Sequence, residues 1–256
     1  MVTSRSLHAA SISVFAGGVL VSGCAPMPQP ADARSLAAAP RPSAGYPVMA
    51  PLGEYLMTDR DAEVALARTA APPAISSDAT VLVLTRKGYE TAVEGKNGFV
   101  CFVDRSWLSP FDDAEFWNPK KRGPTCMNAP AARSALPVTY RLTELALAGL
   151  SKDAILARMK ESIAKKEFAP PEIGSMSYMM SKSQYLNDDS GHWHPHLMFS
   201  MPGEMNGSVW GANLPAGSAV FGGGEELPGG GRMPWTLFFV PVPTWSDGTP
   251  AGAHHA

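Results

Sequence analysis

Residues 79–103, ATVLVLTRKGYETAVEGKNGFVCFV, hold three short runs of β-branched and aromatic side chains separated by turn-forming residues. Segment 79–85 is apolar, 89–93 follows Lys87-Gly88, and 99–103 follows Lys96-Asn97-Gly98. Asn-Gly between such runs is a strong hairpin signal, because both residues accept the positive φ of tight hairpin turns. The stretch reads as a β-meander with Cys101 in its third strand.

Helical spacing appears on either side. Residues 138–150 place Val138, Leu142, Leu145 and Ala146 on one face. Residues 152–166 place Ile155, Met159 and Ile163 on a stripe flanked by Leu156, with Glu161 and Lys165 as an exposed i,i+4 pair. Upstream, Thr58 with Asp61 resembles a capping box opening a surface helix over 59–70. Its inward stripe is Ala62, Ala65, Leu66 and Thr69, and Asp59, Glu63 and Arg68 fall on the solvated side.

Segment 104–136 has no clear period. It carries Trp107, Phe111, Phe116 and Trp117, an acidic group (Asp112, Asp113, Glu115) and a basic tip at Lys120-Lys121-Arg122. It reads as a long, pinned loop with a solvated tip. Further strands are expected over 175–181, 191–201 and 235–242, and 222–231 reads as a glycine-rich loop. The expected fold is α+β, a single domain over 52–243. In it, an antiparallel sheet is covered on one face by two or three helices and held by one disulfide.

Composition bounds the function. A chain of 256 residues can bury a full core. A formal charge of -2 with 17% charged residues leaves no basic excess to hold phosphates, so nucleic acid is not an expected partner. The 24 glycines and 24 prolines argue against a helical bundle.

Residues 1–23 read as a lipoprotein signal peptide. Arg5 precedes a short apolar run, and Val21-Ser22-Gly23-Cys24 looks like a bacterial lipobox that lipidates Cys24. The alternative is an ordinary cleaved signal. The lipobox reading makes the membrane a partner through an N-terminal lipid and places the chain in the cell envelope. Ala25 in place of Asp favours the outer membrane. Residues 24–51, rich in Ala and Pro, form the expected tether, and 244–256 a flexible tail. With Cys24 lipidated, Cys101 and Cys126 remain as an even pair in an oxidising compartment. Their disulfide would close a loop of about 26 residues and contribute about 3.5 kcal/mol in chain-entropy terms. The competing reading is a reactive thiol.

Three of the six histidines, His192, His194 and His196, fall within five residues. If 191–201 is extended, they share one face with Met198 and Ser200, while Trp193, Pro195, Leu197, Phe199 and Met201 share the other, core-facing side. Imidazoles with a thioether suit copper or zinc, with Met198 or Met180 as the sulfur ligand. The leading reading is instead a non-enzymatic protein in which His196, Trp193 and Trp210 contact a small ligand or protein partner, with the metal site as its alternative. A third makes His196 a hydrolase-like base with Asp188. No GxSxG, HExxH, CxxC, CxxCH or GxxxxGK[ST] pattern is present. His194-Pro195-His196 lacks the nearby glutamate and later histidine of a cupin metal site. The sequence leaves the cofactor unknown.

The segments Asn97-Gly98-Phe99-Val100-Cys101, Cys126-Met127, Pro195-His196-Leu197-Met198 and the strand at 235–242 come in that order, after 61–71 (DAEVALARTAA), over most of residues 57–243. The combination resembles a family of exported bacterial proteins for which no activity is established. The resemblance implies the Cys101–Cys126 pairing. It also singles out His196 over His192 and His194, which lie outside the shared segment.

Overall fold

The computed structural model describes residues 45–215 and 217–252. The expected signal peptide, Cys24 and most of the tether lie outside the described residues. Eight strands form one sheet: β1 (Thr80–Thr85), β2 (Gly88–Val93), β3 (Val100–Asp104), β4 (Gly123–Met127), β5 (Met176–Met179), β6 (His196–Pro202), β7 (Phe221–Glu226) and β8 (Arg232–Pro241). Their order across the sheet is β2-β1-β3-β4-β5-β6-β8-β7. The helices are α1 (Arg60–Arg68), α2 (Pro73–Ser76), α3 (Ala129–Ser134), α4 (Leu136–Leu147) and α5 (Lys152–Ala164). Among the described residues no helix is long and apolar enough to cross a membrane. The α+β class with one disulfide is as expected.

The expected meander is not formed. β1 and β2 make an antiparallel hairpin, but β3 runs parallel to β1 on its other side. Asn97-Gly98 does turn the chain, with the Asn97 amide donating to the Ile75 carbonyl (2.7 Å) and accepting from the Phe99 N–H (3.0 Å). The turn leads across the start of β1. There a Cβ on Gly95 would lie 2.1 Å from the Thr80 nitrogen, so the crossing requires glycine. Burial explains the topology. Cys101, Phe102 and Val103 are fully buried, and such a strand belongs in the sheet interior. The more polar β2 is left at the edge.

Both faces of the sheet are covered at this end, where helices on one face were expected. By strand register, Leu82, Phe102 and Met127 share a face, and they pack with Ala131 of α3 and Leu136 of α4. Val81, Cys101, Val103 and Cys126 share the other and pack against Ala67, Ala70 and Ala71 at α1. β1 and β3 are apolar at both parities, so each face needs a cover. The disulfide joins directly opposed residues of β3 and β4 on the α1 side. The stripes expected for α4 and α5 hold: Val138, Leu142, Leu145, Ala146, Ile155 and Met159 are buried in one cluster with Trp107, Phe111, Phe116 and Trp117. The Glu161–Lys165 pair also forms, at 2.6 Å.

α1 is rotated from its expected orientation. Its N-cap is Asp59, not Thr58, accepting from the Asp61 and Ala62 N–H groups. Ala62 and Ala65 are exposed, and the buried stripe is Glu63, Ala67 and Ala70. Glu63 is inside because Arg105 is there to meet it. The Arg105 Nη2 lies 2.7 Å from Glu63 Oε1, with side-chain exposures of 0% and 1%. Arg105 also donates to the Tyr55 carbonyl (2.7 Å) and the Val103 carbonyl (2.6 Å), and Glu63 accepts from the Leu84 N–H (3.1 Å).

Two boundaries differ from expectation. Tyr46, Met49 and Ala50, assigned to the tether, pack on the main cluster, and the Ala50 N–H donates to the Tyr55 hydroxyl (3.1 Å). The start of the expected tail is also pinned: Trp245 is buried, Thr244 bridges Pro250, and the Ser246 N–H donates to the Met180 carbonyl (2.9 Å).

Glu63→Gln removes the counter-charge and strands a buried guanidinium, so it should destabilise the domain by about 3–5 kcal/mol in urea unfolding. Pairing Glu63→Leu with Arg105→Met should recover most of that loss.

Candidate ligand site beside the glycine strand

The histidine segment is extended over a shorter range than its alternation predicts. β6 begins at His196; Pro195 still accepts from the Val242 N–H (2.8 Å), and residues 192–194 precede it outside the strand. Pro195, which cannot donate to a ladder, stands just before the boundary. The alternation therefore does not carry back to His192 and His194. Within β6, His196, Met198 and Ser200 share a face with Met179, Phe239 and Leu237, their cross-strand neighbours or those of adjacent pairs. Leu197, Phe199 and Met201 share the opposite face and are half-buried, not core.

His196 is the buried member, 2% exposed. Its Nδ1 lies 2.7 Å from the His194 carbonyl. A carbonyl only accepts, so Nδ1 carries the proton and Nε2 keeps its lone pair. The ring packs on Trp193 (centroids 4.6 Å) and Phe239 (5.7 Å). Burial pulls its pKa down from 6.5 to about 4, only partly offset by the bond to His194. His192 instead lies near Trp245, with centroids 6.0 Å apart. Among the described residues no group of three or more His, Cys, Asp or Glu converges. The expected three-imidazole cluster with an exposed face is therefore not built. Met179, rather than Met180, stands opposite His196, and Met180 sits against Ala70 at the end of α1.

Asp188 does not serve His196. Its carboxylate accepts from the Tyr46 hydroxyl (2.8 Å), the Tyr185 hydroxyl (2.5 Å), Lys120 Nζ (3.0 Å) and Asn118 Nδ2 (3.1 Å). Those bonds, led by Tyr185, hold its carboxyl well below the usual range. The expected acidic group is likewise occupied internally: Asp113 accepts from the Glu115 N–H (2.8 Å), and Glu115 accepts from Asn118 (2.8 Å) and the Asp188 N–H (3.0 Å). Lys121, expected in a solvated tip, is turned inward and donates to Ser109 Oγ at 2.5 Å. Its desolvation pushes the ammonium pKa down against the pull of Asp113 and Asp104.

Trp210 is separated from the other expected ligand contacts. It stacks on Phe238 (4.6 Å, 18°), on the sheet face opposite His196 and Trp193. Between the two faces lies the least expected element. The glycine-rich segment is not a loop but β7, paired to β8 along Phe221–Glu226 and turning at Leu227–Gly231. A Cβ at Gly222 would come 2.2 Å from the Leu237 carbonyl oxygen, so that position admits only glycine. Gly223 has nothing within 4 Å of such a Cβ.

The bare strand opens an accessible cavity of about 970 Å³. Leu237 and Phe239 of β8 supply its apolar wall, and Glu204, Asn206, Ser208, Asn213, Glu225 and Arg232 its polar groups. Arg232 pairs with Glu204 and, at 3.3 Å, with Glu226. Burial raises the Glu225 pKa, and nearby Asp112 adds to the shift. The Asn213 side chain donates to the Gly222 carbonyl (2.7 Å) and accepts from the Gly222 N–H (3.1 Å), fastening the 204–213 segment to the edge strand. Arg232, Glu204 and Asn213 carried no sequence signal. A usable one was the run of three glycines, Gly222 to Gly224, followed by Glu225-Glu226 ahead of the apolar strand at 235–242.

Compared with protein-family models, curated proteins and solved structures, the chain has no match.

The His196 shift has a measurable sign. Its folded pKa lies below the unfolded one, so the unfolded chain takes up the proton first as pH falls. The associated stability is complete above about pH 6.5 and declines toward pH 4, by about 3 kcal/mol in total. His196→Gln should therefore lose less stability than the parent between pH 7 and pH 4.5 in urea unfolding; equal acid sensitivity would contradict a buried neutral imidazole.

Proposed function

We propose that this chain is an exported, lipid-anchored protein of the bacterial envelope that binds a small ligand in the cavity over β7 and β8. The observation that carries the ligand reading is the cavity itself. Its volume of about 970 Å³ lies in the range of small-molecule sites, and it combines an apolar wall with a few convergent polar groups. It adjoins the histidine strand: Phe239 is the cross-strand partner of Met198 and packs on His196 and Trp193. The ligand this lining suits has an apolar or ring portion for Leu237 and Phe239. It also has an uncharged hydrogen-bonding group for Asn206 and Ser208, because Arg232 is already held by Glu204 and Glu226. Anchoring rests on the lipobox at Cys24, and export also on the resemblance stated above. The Cys101–Cys126 disulfide is consistent with an oxidising compartment.

Gly223→Leu tests the cavity, because the position has room and no left-handed backbone requirement. A library of small aromatic alcohols and amides, screened by protein-observed NMR, should shift resonances of Gly223, Asn206 and Phe239. In the variant these shifts should vanish, or affinities fall at least about tenfold, with the unfolding midpoint preserved. Fragments that bind parent and variant alike would refute the cavity as the site. Labelling of whole cells with a palmitate analogue should mark the protein and be lost in Cys24→Ser; an unlabelled parent would overturn the anchor.

A further inference from the structure

We infer that His196, Met179 and Met198 form a site for a soft monovalent cation, Cu(I) or Ag(I), capped by the Trp193 ring. The placement comes from strand register. Met179 is directly opposite His196 in the β5–β6 pair, and Met198 is two residues along the same strand. All three therefore occupy one sheet face, with Cβ separations of about 5 Å across the pair and about 7 Å along it. Two unbranched torsions, about Cα–Cβ and Cβ–Cγ, place each methionine sulfur, and turning them toward the imidazole is the rearrangement that the site requires. The Met179 methyl now points toward β4, 3.4 Å from where a Cβ on Gly123 would stand, so binding requires a rotamer change that turns the thioether toward β6.

The imidazole is already oriented as a ligand. Its Nδ1–H is committed to the His194 carbonyl at 2.7 Å, which leaves the Nε2 lone pair for a metal and fixes the ring plane. Trp193, with its centroid 4.6 Å from the imidazole, and Phe239, at 5.7 Å, pack against the same ring. Their ring faces favour a bare cation in an apolar setting. One imidazole and two thioethers are a neutral, soft ligand set, which prefers Cu(I) to zinc or to hard cations. Among the described residues no three His, Cys, Asp or Glu groups converge to offer the alternative set. Binding needs no electron transfer. Met198 and Trp193 are half-buried and provide the route of access to the buried ring.

The test uses the mature chain carrying Cys24→Ser, purified without a histidine tag. Ag(I), which has no accessible redox step here, is titrated while tryptophan emission is followed; Cu(I) is then measured by competition with bicinchoninate. One equivalent should quench emission, and the quench should be lost in Trp193→Phe. The ¹³Cε methyl resonances of Met179 and Met198 should shift in the parent protein, a readout that requires no variant. The volume-conserving Met179→Leu/Met198→Leu pair should weaken binding at least about a hundredfold with the fold intact. If the pair proves unstable, Met198→Leu with the methyl shifts decides. His192→Ala/His194→Ala and Gly223→Leu should both bind as the parent does, which separates this site from the histidine cluster and from the cavity. Absence of stoichiometric binding, shifts at other methionines, or loss of binding in His192→Ala/His194→Ala would each overturn the assignment.

Discussion

The buried pair between Glu63 and Arg105 is the constraint on which the rest of the domain is arranged. Neither charge reaches water, so each must be fully answered by protein groups or carry a desolvation cost of several kcal/mol. The answers come from four separate places. Glu63 lies on α1, Arg105 follows β3, the Leu84 amide belongs to β1, and the Tyr55 carbonyl ends the turn at Leu52–Glu54. Satisfying all of them at once sets how α1 sits on the sheet and which of its faces turns inward. It also sets where the chain ahead of α1 enters, because Tyr55 in turn donates to the Trp117 carbonyl at 2.8 Å and holds the long aromatic segment.

That arrangement divides the sheet by cover. Around β1, β3 and β4 helices pack on both faces, and a disulfide ties β3 to β4. Beyond β5 the cover thins. Leu197, Phe199, Leu237 and Phe239 are only half-buried, and the last strand consists largely of glycine. A rigid half that carries a more open half is a common way to combine stability with binding, since a ligand gains most where surface is left to bury. His196 stands near the junction, buried on β6 beside the half-buried Leu197 and Met198.

Much of this was legible in the sequence where one element's pattern suffices. The stripes of α4 and α5 and the strand status of 79–85 and 99–103 follow from spacing within a single segment, and the cysteine pair followed from counting cysteines and from the family resemblance. What was hidden depends on partners far along the chain. Glu63 looks like a solvated helix charge until Arg105 is placed beside it. Asn97-Gly98 signals a hairpin locally, yet the crossing at Gly95 is a tertiary contact with Thr80. The alternation at 191–201 identified which residues of β6 share a face, but alternation cannot say which face is covered, so His196 was expected outside and lies inside. β7 was missed because glycine has little strand propensity of its own and pairs here through its apolar neighbour β8.

The central claim, that binding features sit on the open half of a sheet whose other half is locked by the buried pair, is most directly tested by native-state hydrogen exchange resolved by residue. Amides of β1, β3 and β4 should exchange only through global unfolding, whereas those of β7 and the 204–213 segment should exchange through local opening at much lower free energy. Equal protection across the sheet, or stronger protection in β7 than in β3, would contradict the account.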